Sequence, residues 1–243
     1  MTAVETVRGM LAETLGDRTG GRNAGPAALE AVGRLCGHDL LGSLVEALIL
    51  QVEADRPDTA RRAALSYDHA LGFSKLMLLT GEPDYMLRAH IWSAGPAIRT
   101  HNDPEHIHNH RFAFASAVLR GALRMRIYVP DPQGEPVAAY REEIGPGDTA
   151  WQITDAGTAR LRMAADLRLE AGSRYCLDAD TRHQVALTPG LSTVTCFLET
   201  AALRQTTDVY AIPHDHLPVS IPKQPLSPER YLLRLRELAE LIS

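Results

Sequence analysis

Four of the ten histidines fall within ten residues: His101, His106, His108 and His110, in the segment THNDPEHIHNHRF. Imidazole is a ligand for zinc, iron, nickel and copper alike, so a cluster this dense points to a metal before anything else. In an extended segment residues i and i+2 face the same way, which puts His106, His108 and His110 along one side of a strand. Two neighbours in that row can share one ion through ring nitrogens, at about 2.0 to 2.1 Å for zinc. An HxH pair is a weak signal by itself. His106 shares the phase of the pair and could replace one member or stand behind it as a polar support. A second HxH, His214 and His216, stands between Pro213 and Pro218 in a segment read as loop.

The residues downstream of the first pair strengthen it. From His108 and His110, three residues lead to Phe114 and six more to Gly121, and Asn102 stands ahead of the pair; further on, Gly172 and His183 are separated by ten residues that include Asp178 and Asp180, and Leu187 comes after. This spacing resembles the cupin superfamily. Its first motif runs glycine, HxH, glutamate, glycine, and its second runs glycine, proline-x-glycine, histidine, asparagine. The likeness covers roughly Tyr85 to Thr200, with Phe114 in the glutamate place and Asn102 in the leading glycine place. It implies a double-stranded β-helix, the jelly-roll barrel, in which His108, His110 and His183 hold one divalent metal. Fe(II) is the first expectation, and Ni, Mn or Zn the others. Three protein ligands leave open positions, an arrangement that serves catalysis better than structure.

Phenylalanine at the glutamate place leaves an all-histidine triad, as in cysteine dioxygenase and the related thiol dioxygenases, which also place helices ahead of the barrel. In that group an arginine before the first barrel strands holds the substrate carboxylate. Phe73-Ser74-Lys75-Leu76 occupies a similar place here, and Lys75 would act as a point charge without the bidentate grip of arginine. Ala115 stands where mammalian-type members carry the cysteine of a Cys-Tyr crosslink, and Thr195, Phe197 and Glu199 stand where the group has Ser-x-His-x-Tyr. The resemblance therefore implies a non-haem iron dioxygenase or other oxygenase that acts with O2 on a small polar, carboxylate-bearing metabolite, without singling out thiols. Non-redox cupin chemistry (isomerase, decarboxylase or lyase) and a ligand-binding cupin without turnover stay open. So does an HxD reading, in which His101 and Asp103 join His183 as in 2-oxoglutarate oxygenases; that class wants an arginine soon after the distal histidine, and the next one is Arg204.

The elements that must position these residues can be read from periodicity. Thr2 to Leu15, Ala27 to Cys36 and Asp39 to Ala54 carry apolar residues at helical spacing, with Asp39 placed to cap the third helix. Asp58 through Leu79 reads as a further helix, stopped by Gly81 and Pro83. From Asp84 the pattern turns to short alternating strands with Gly, Pro and Asp between them, and Ser227-Pro228 opens a last amphipathic helix. The expected organisation is mainly β: a helical region over 1–83, a barrel over 84–212, and a loop and helix over 213–243. Arg88, His90 and Trp92 share one face of the first barrel strand, and Tyr175 precedes the second motif's histidine, so Lys75, Arg88 and Tyr175 are the candidate substrate contacts. Cys176 and Cys196 read as small core residues.

The composition sets outer limits. A net charge of −5 lacks the basic stripe that phosphate neutralisation needs, so no nucleic-acid partner is expected. No uncharged run is long enough for a membrane span and the start lacks a signal-peptide pattern, which leaves a cytoplasmic protein with no membrane partner as the expectation. Three widely spaced cysteines without a CxxC suit a reducing compartment. The expected partners are a small-molecule substrate and O2, with a homodimer as a possible assembly. Lysine occurs only at Lys75 and Lys223 in a chain otherwise built with arginine.

Overall fold

The computed structural model describes residues 1–19, 24–37, 39–69, 72–93, 106–188, 190–211 and 217–243. Four helices come first: α1 (Ala3–Leu15), α2 (Ala24–Gly37), α3 (Leu40–Glu53) and α4 (Asp58–Ala64). Thr2 caps α1 in a reciprocal box: its hydroxyl accepts from the Glu5 amide at 3.2 Å and the Glu5 carboxylate accepts from the Thr2 amide at 2.8 Å. Asp39 does not cap α3. It sits in the left-handed region, φ 54°, and its side chain makes no capping hydrogen bond.

The helix expected over Asp58 to Leu79 ends at Ala64. The chain turns instead into β1 (Tyr67–His69) and β2 (Phe73–Gly81), which pair antiparallel with each other, and β2 pairs in turn with β3 (Tyr85–Trp92). The reason is burial on both faces. Phe73, Leu76, Met77, Leu78 and Leu79 are all buried, and a continuous apolar run fits a core strand as well as a core helix. Past Tyr67 the edge of β2 is no longer covered by β1, and side chains complete it: the Met77 amide donates to Ser66 Oγ at 2.8 Å and its carbonyl accepts from Tyr231 Oη at 2.6 Å. Tyr231 belongs to the last helix, α5 (Pro228–Ile242), which is capped by Ser227.

The remaining strands are β4 (Ile107–His108), β5 (Phe112–Arg120), β6 (Ala122–Ile144), β7 (Ala150–Glu170), β8 (Arg174–Leu177), β9 (Arg182–Leu187), β10 (Thr193–Ala202), β11 (Thr207–Ala211) and β12 (Ser220–Pro222). Together with β1, β2 and β3 they form, among the described residues, two six-stranded antiparallel sheets, in the orders β1-β2-β3-β10-β5-β8 and β11-β4-β9-β6-β7-β12. This is the expected mainly β architecture, a two-sheeted jelly roll with helices at both ends of the chain.

Strand alternation sorts the first sheet into two faces. Leu87, Ala89 and Ile91 of β3, Ala115 and Ala117 of β5, and Val194, Cys196 and Leu198 of β10 pack with Leu11, Leu35, Leu44 and Leu235 into one core under the helices. The intervening residues must then face the barrel interior: Arg88, His90 and Trp92; Phe114 and Ser116; Thr195, Phe197 and Glu199. The helical layer thus fixes, by the pleat alone, which side chains are available to a site.

Candidate metal centre

His108 ends β4 and is the direct cross-strand partner of His183 in β9. His110 follows two residues later, just ahead of β5, with its amide on the carbonyl of Ala179 at 3.0 Å. Asn109, between them, is clamped on β11: its amide donates to the Asp208 carbonyl at 3.1 Å, its Nδ2 to Asp208 Oδ2 at 2.8 Å, and its Oδ1 accepts from the Asp208 amide at 2.7 Å. This threefold hold on the middle residue turns its two histidine neighbours toward His183.

One ring nitrogen from each of His108, His110 and His183 falls within 4.8 Å of the others. The ring centroids are 4.5 Å apart for His108 and His183, and 5.1 Å for each of the other two pairs. His108 Nδ1 lies 2.9 Å from the His106 carbonyl oxygen, and His183 Nδ1 lies 3.3 Å from that of Thr181. A carbonyl only accepts, so both contacts require Nδ1–H and leave Nε2 with its lone pair, the tautomer a metal ligand needs. Burial pushes the His108 pKa down to about 4 and that of His183 to about 3, and His110 falls well below its ordinary value through burial and then its two histidine neighbours. The three rings are neutral at physiological pH. Neutral and convergent imidazoles, His183 buried and the other two half-buried, fit a divalent ion, and the group contains no carboxylate: Phe114 stacks on Phe197 at 4.4 Å and meets His110 edge-on at 4.8 Å.

His108 and His110 open on a cavity of about 520 Å³. His106 also lines it, and the carbonyl that orients His108 belongs to this residue, while the three-histidine group is formed without its ring. Lys75 lines the same cavity from β2, opposite His90 and Tyr67, with Nζ 5.7 Å from the Tyr67 ring centre. Its charge is one of the causes that lower the pKa of His69, His90, His108 and His110. Arg88 lines the cavity too, but it is already engaged: Nη2 is 3.0 Å from Glu199 Oε1.

Tyr175 is placed elsewhere. It packs with the cluster of Val118, Leu123 and Met125, and Phe114 stands between it and the triad, 6.1 Å from the Tyr175 ring and 4.8 Å from that of His110. Cys196 is buried in the helix-side core and Cys176 lies partly buried against it. His101, Asp103, His214 and His216 lie outside the described residues. Arg204, the arginine that the HxD reading invoked, pairs with Asp208 at 2.7 Å.

The structure adds cavity residues that the sequence reading left out. His69 stacks on Phe73 at 4.6 Å, and it went unread because its segment was expected to be helical. Glu142 of β6 is half-buried there, and its removal from water raises its pKa against the pull of Lys75, Arg111 and Lys223. Trp151 of β7 carries Lys223 Nζ at 4.1 Å above its ring. Both lysines of the chain therefore line one cavity, and their rarity was the available signal.

No protein-family model matches the sequence, and comparison with curated proteins gives no match either. Among solved structures, a DMSP lyase structure (RdDddP and RnDddQII) is similar at 16% identity and TM-score 0.32, over 54% of this chain and 48% of that one. The match thus spans about half of that protein. The cupin domain of Schizosaccharomyces pombe Cnp3 matches at 8% identity and TM-score 0.32, over 53% of this chain and 61% of the other. An RmlC-like cupin from Shewanella frigidimarina NCIMB 400 matches at 14% identity and TM-score 0.32, over 56% and 83%. Cupins are thus among the solved structures that this chain is similar to over about half its length, and its barrel carries a three-histidine group able to hold a metal ion.

Proposed function

We propose that this chain is a metal-dependent oxygenase, with Fe(II) held by His108, His110 and His183, that oxidises a small carboxylate-bearing metabolite with O2. The observation that carries the reading is the convergence of three neutral imidazoles, with an aromatic ring in place of a fourth protein ligand, on a cavity that also holds Lys75. A bound metal would supply adjacent open positions at which substrate and dioxygen can meet. The protein's own residues do the rest. Lys75 offers its ammonium to the substrate carboxylate in a partly dehydrated setting, where the attraction exceeds that in water. Phe112, Phe114 and Phe197 wall the triad with apolar rings that exclude water. The His106 and Thr181 carbonyls hold two of the imidazoles in one tautomer.

Glu142 supports a second reading. A half-buried carboxyl whose pKa is raised is suited to moving a proton, a step that isomerase, lyase or decarboxylase chemistry relies on. Reconstitution separates the two. Oxygen consumption over a panel of small acids should appear with Fe(II) and be absent with Zn(II). Turnover with Zn(II) alone, without loss of O2, would replace the oxygenase by the Lewis-acid reading.

A further inference from the structure

Glu199 lies on β10 between Met86 of β3 and Phe114 of β5, on the barrel-facing side of the sheet. Its side chain is 5% exposed. One oxygen, Oε1, pairs with Arg88 at 3.0 Å, while Oε2 is buried and has no hydrogen-bond partner among the described residues. Buried carboxylate oxygens are normally satisfied, and leaving one bare is costly, so an orphan on a residue that lines a cavity marks a place where something else donates. Arg88 holds the carboxylate through Oε1, so the acceptor is fixed in place before a ligand arrives.

We infer that Glu199 is a specificity-determining residue: its free Oε2 accepts a hydrogen bond from a neutral donor, a hydroxyl or amide N–H, on a substrate whose carboxylate is held by Lys75. This assignment rests on the reading of the cavity as the substrate site. The neutral character of the donor follows from the charges around it. Lys75, Arg88, Arg111 and Lys223 line the cavity against Glu142, Asp148 and Glu199, and a divalent ion on the triad adds to the positive side. An ammonium would enter against that excess, whereas a hydroxyl donates without adding charge. The substrate class is then a hydroxy or amido acid, extended enough to reach from Lys75 to Glu199, and the cavity of about 520 Å³ has room for such a molecule.

The test uses the full chain loaded with Zn(II), so that binding is read without turnover, and three probe series of four to eight carbons: straight-chain alkanoates, their ω-hydroxy derivatives and their ω-amino derivatives. Calorimetric titration should show, at one chain length, an ω-hydroxy acid bound about ten-fold more tightly than its parent alkanoate, with the ω-amino acid no better than the parent. Glu199→Asp keeps a carboxylate at this position but retracts it by one methylene, and should move the preferred length up by one carbon. The double variant Arg88→Met/Glu199→Met removes the pair without leaving a lone buried charge and should abolish the preference, with zinc content showing that the site is intact. Equal binding of hydroxy and parent acids at every length, or a preference unmoved in both variants, overturns the assignment while the proposed function stands. A preference for the ω-amino series overturns the neutral donor. Failure of every acid to bind contradicts both this inference and the proposed function.

Discussion

At the scale of single residues, site chemistry depends on which side chains the pleat turns inward and which of those are already engaged. Arg88 and Lys75 are both cationic and both line the cavity, but Arg88 is paired with Glu199, whereas among the described residues no carboxylate is in ion-pair contact with Lys75, which acts on Glu142 only at longer range. Lys75→Met should therefore weaken the binding of a simple acid such as hexanoate about ten-fold, roughly 1.4 kcal/mol, with metal content unchanged. Equal affinity in that variant would move the carboxylate contact to Arg111, since Lys223 is already paired with Asp148. The histidines were legible from spacing because HxH and the distant His183 obey strand periodicity and a known motif distance. Tyr175 was misplaced because alternation gives the face of a residue and not its depth along the barrel: it faces inward, but Phe114 stands between it and the metal site.

At the scale of elements, β4 is two residues long and could not hold its place by its own ladder. The side chain of Asn109 supplies the hold, bridging to Asp208 of β11. Asn109→Ala should remove two partly buried hydrogen bonds, one of them to a charged group, at a cost of about 2 to 4 kcal/mol. It should also lower metal affinity, because His108 and His110 lose their fixed direction. Chemical denaturation and a metal titration read the two effects, and a destabilised protein with unchanged metal affinity would mean that the clamp holds the fold but not the site. None of this was visible beforehand, since Asn109 reads only as the middle of an HxH. The helical reading of residues 65 to 79 failed for a related reason: Leu76 to Leu79 are buried on both sides, and an apolar run without alternation carries no period to tell strand from helix. The strands β3, β5 and β10, whose residues alternate between the two faces of the sheet, pose no such ambiguity.

At the scale of the whole molecule, five histidines among the described residues, His90 and His183 buried and His69, His108 and His110 half-buried, have pKa values below the ordinary value. In each the first cause is burial. The unfolded chain takes up protons near pH 6.5 that the folded chain refuses until about pH 4 at His108 and about 3 at His183. The metal-free protein should therefore lose stability as pH falls from 6.5 toward 4, by about 1.4 kcal/mol per pH unit for each such histidine, and regain it on return. Denaturation midpoints that stay flat across that window would mean that these rings take up protons in the fold. The C-terminal segment closes the cavity in a way its sequence did not announce. β12 is a three-residue strand ending in proline, too short for any pattern, yet it pairs with β7, and the next residue, Lys223, reaches over Trp151. The central claim is that His108, His110 and His183 together bind one divalent ion, and anaerobic Fe(II) titration of the wild type and of His183→Ala tests it most directly. The account expects one iron per chain in the wild type and near-complete loss in a variant that remains folded; full iron occupancy in folded His183→Ala would contradict it.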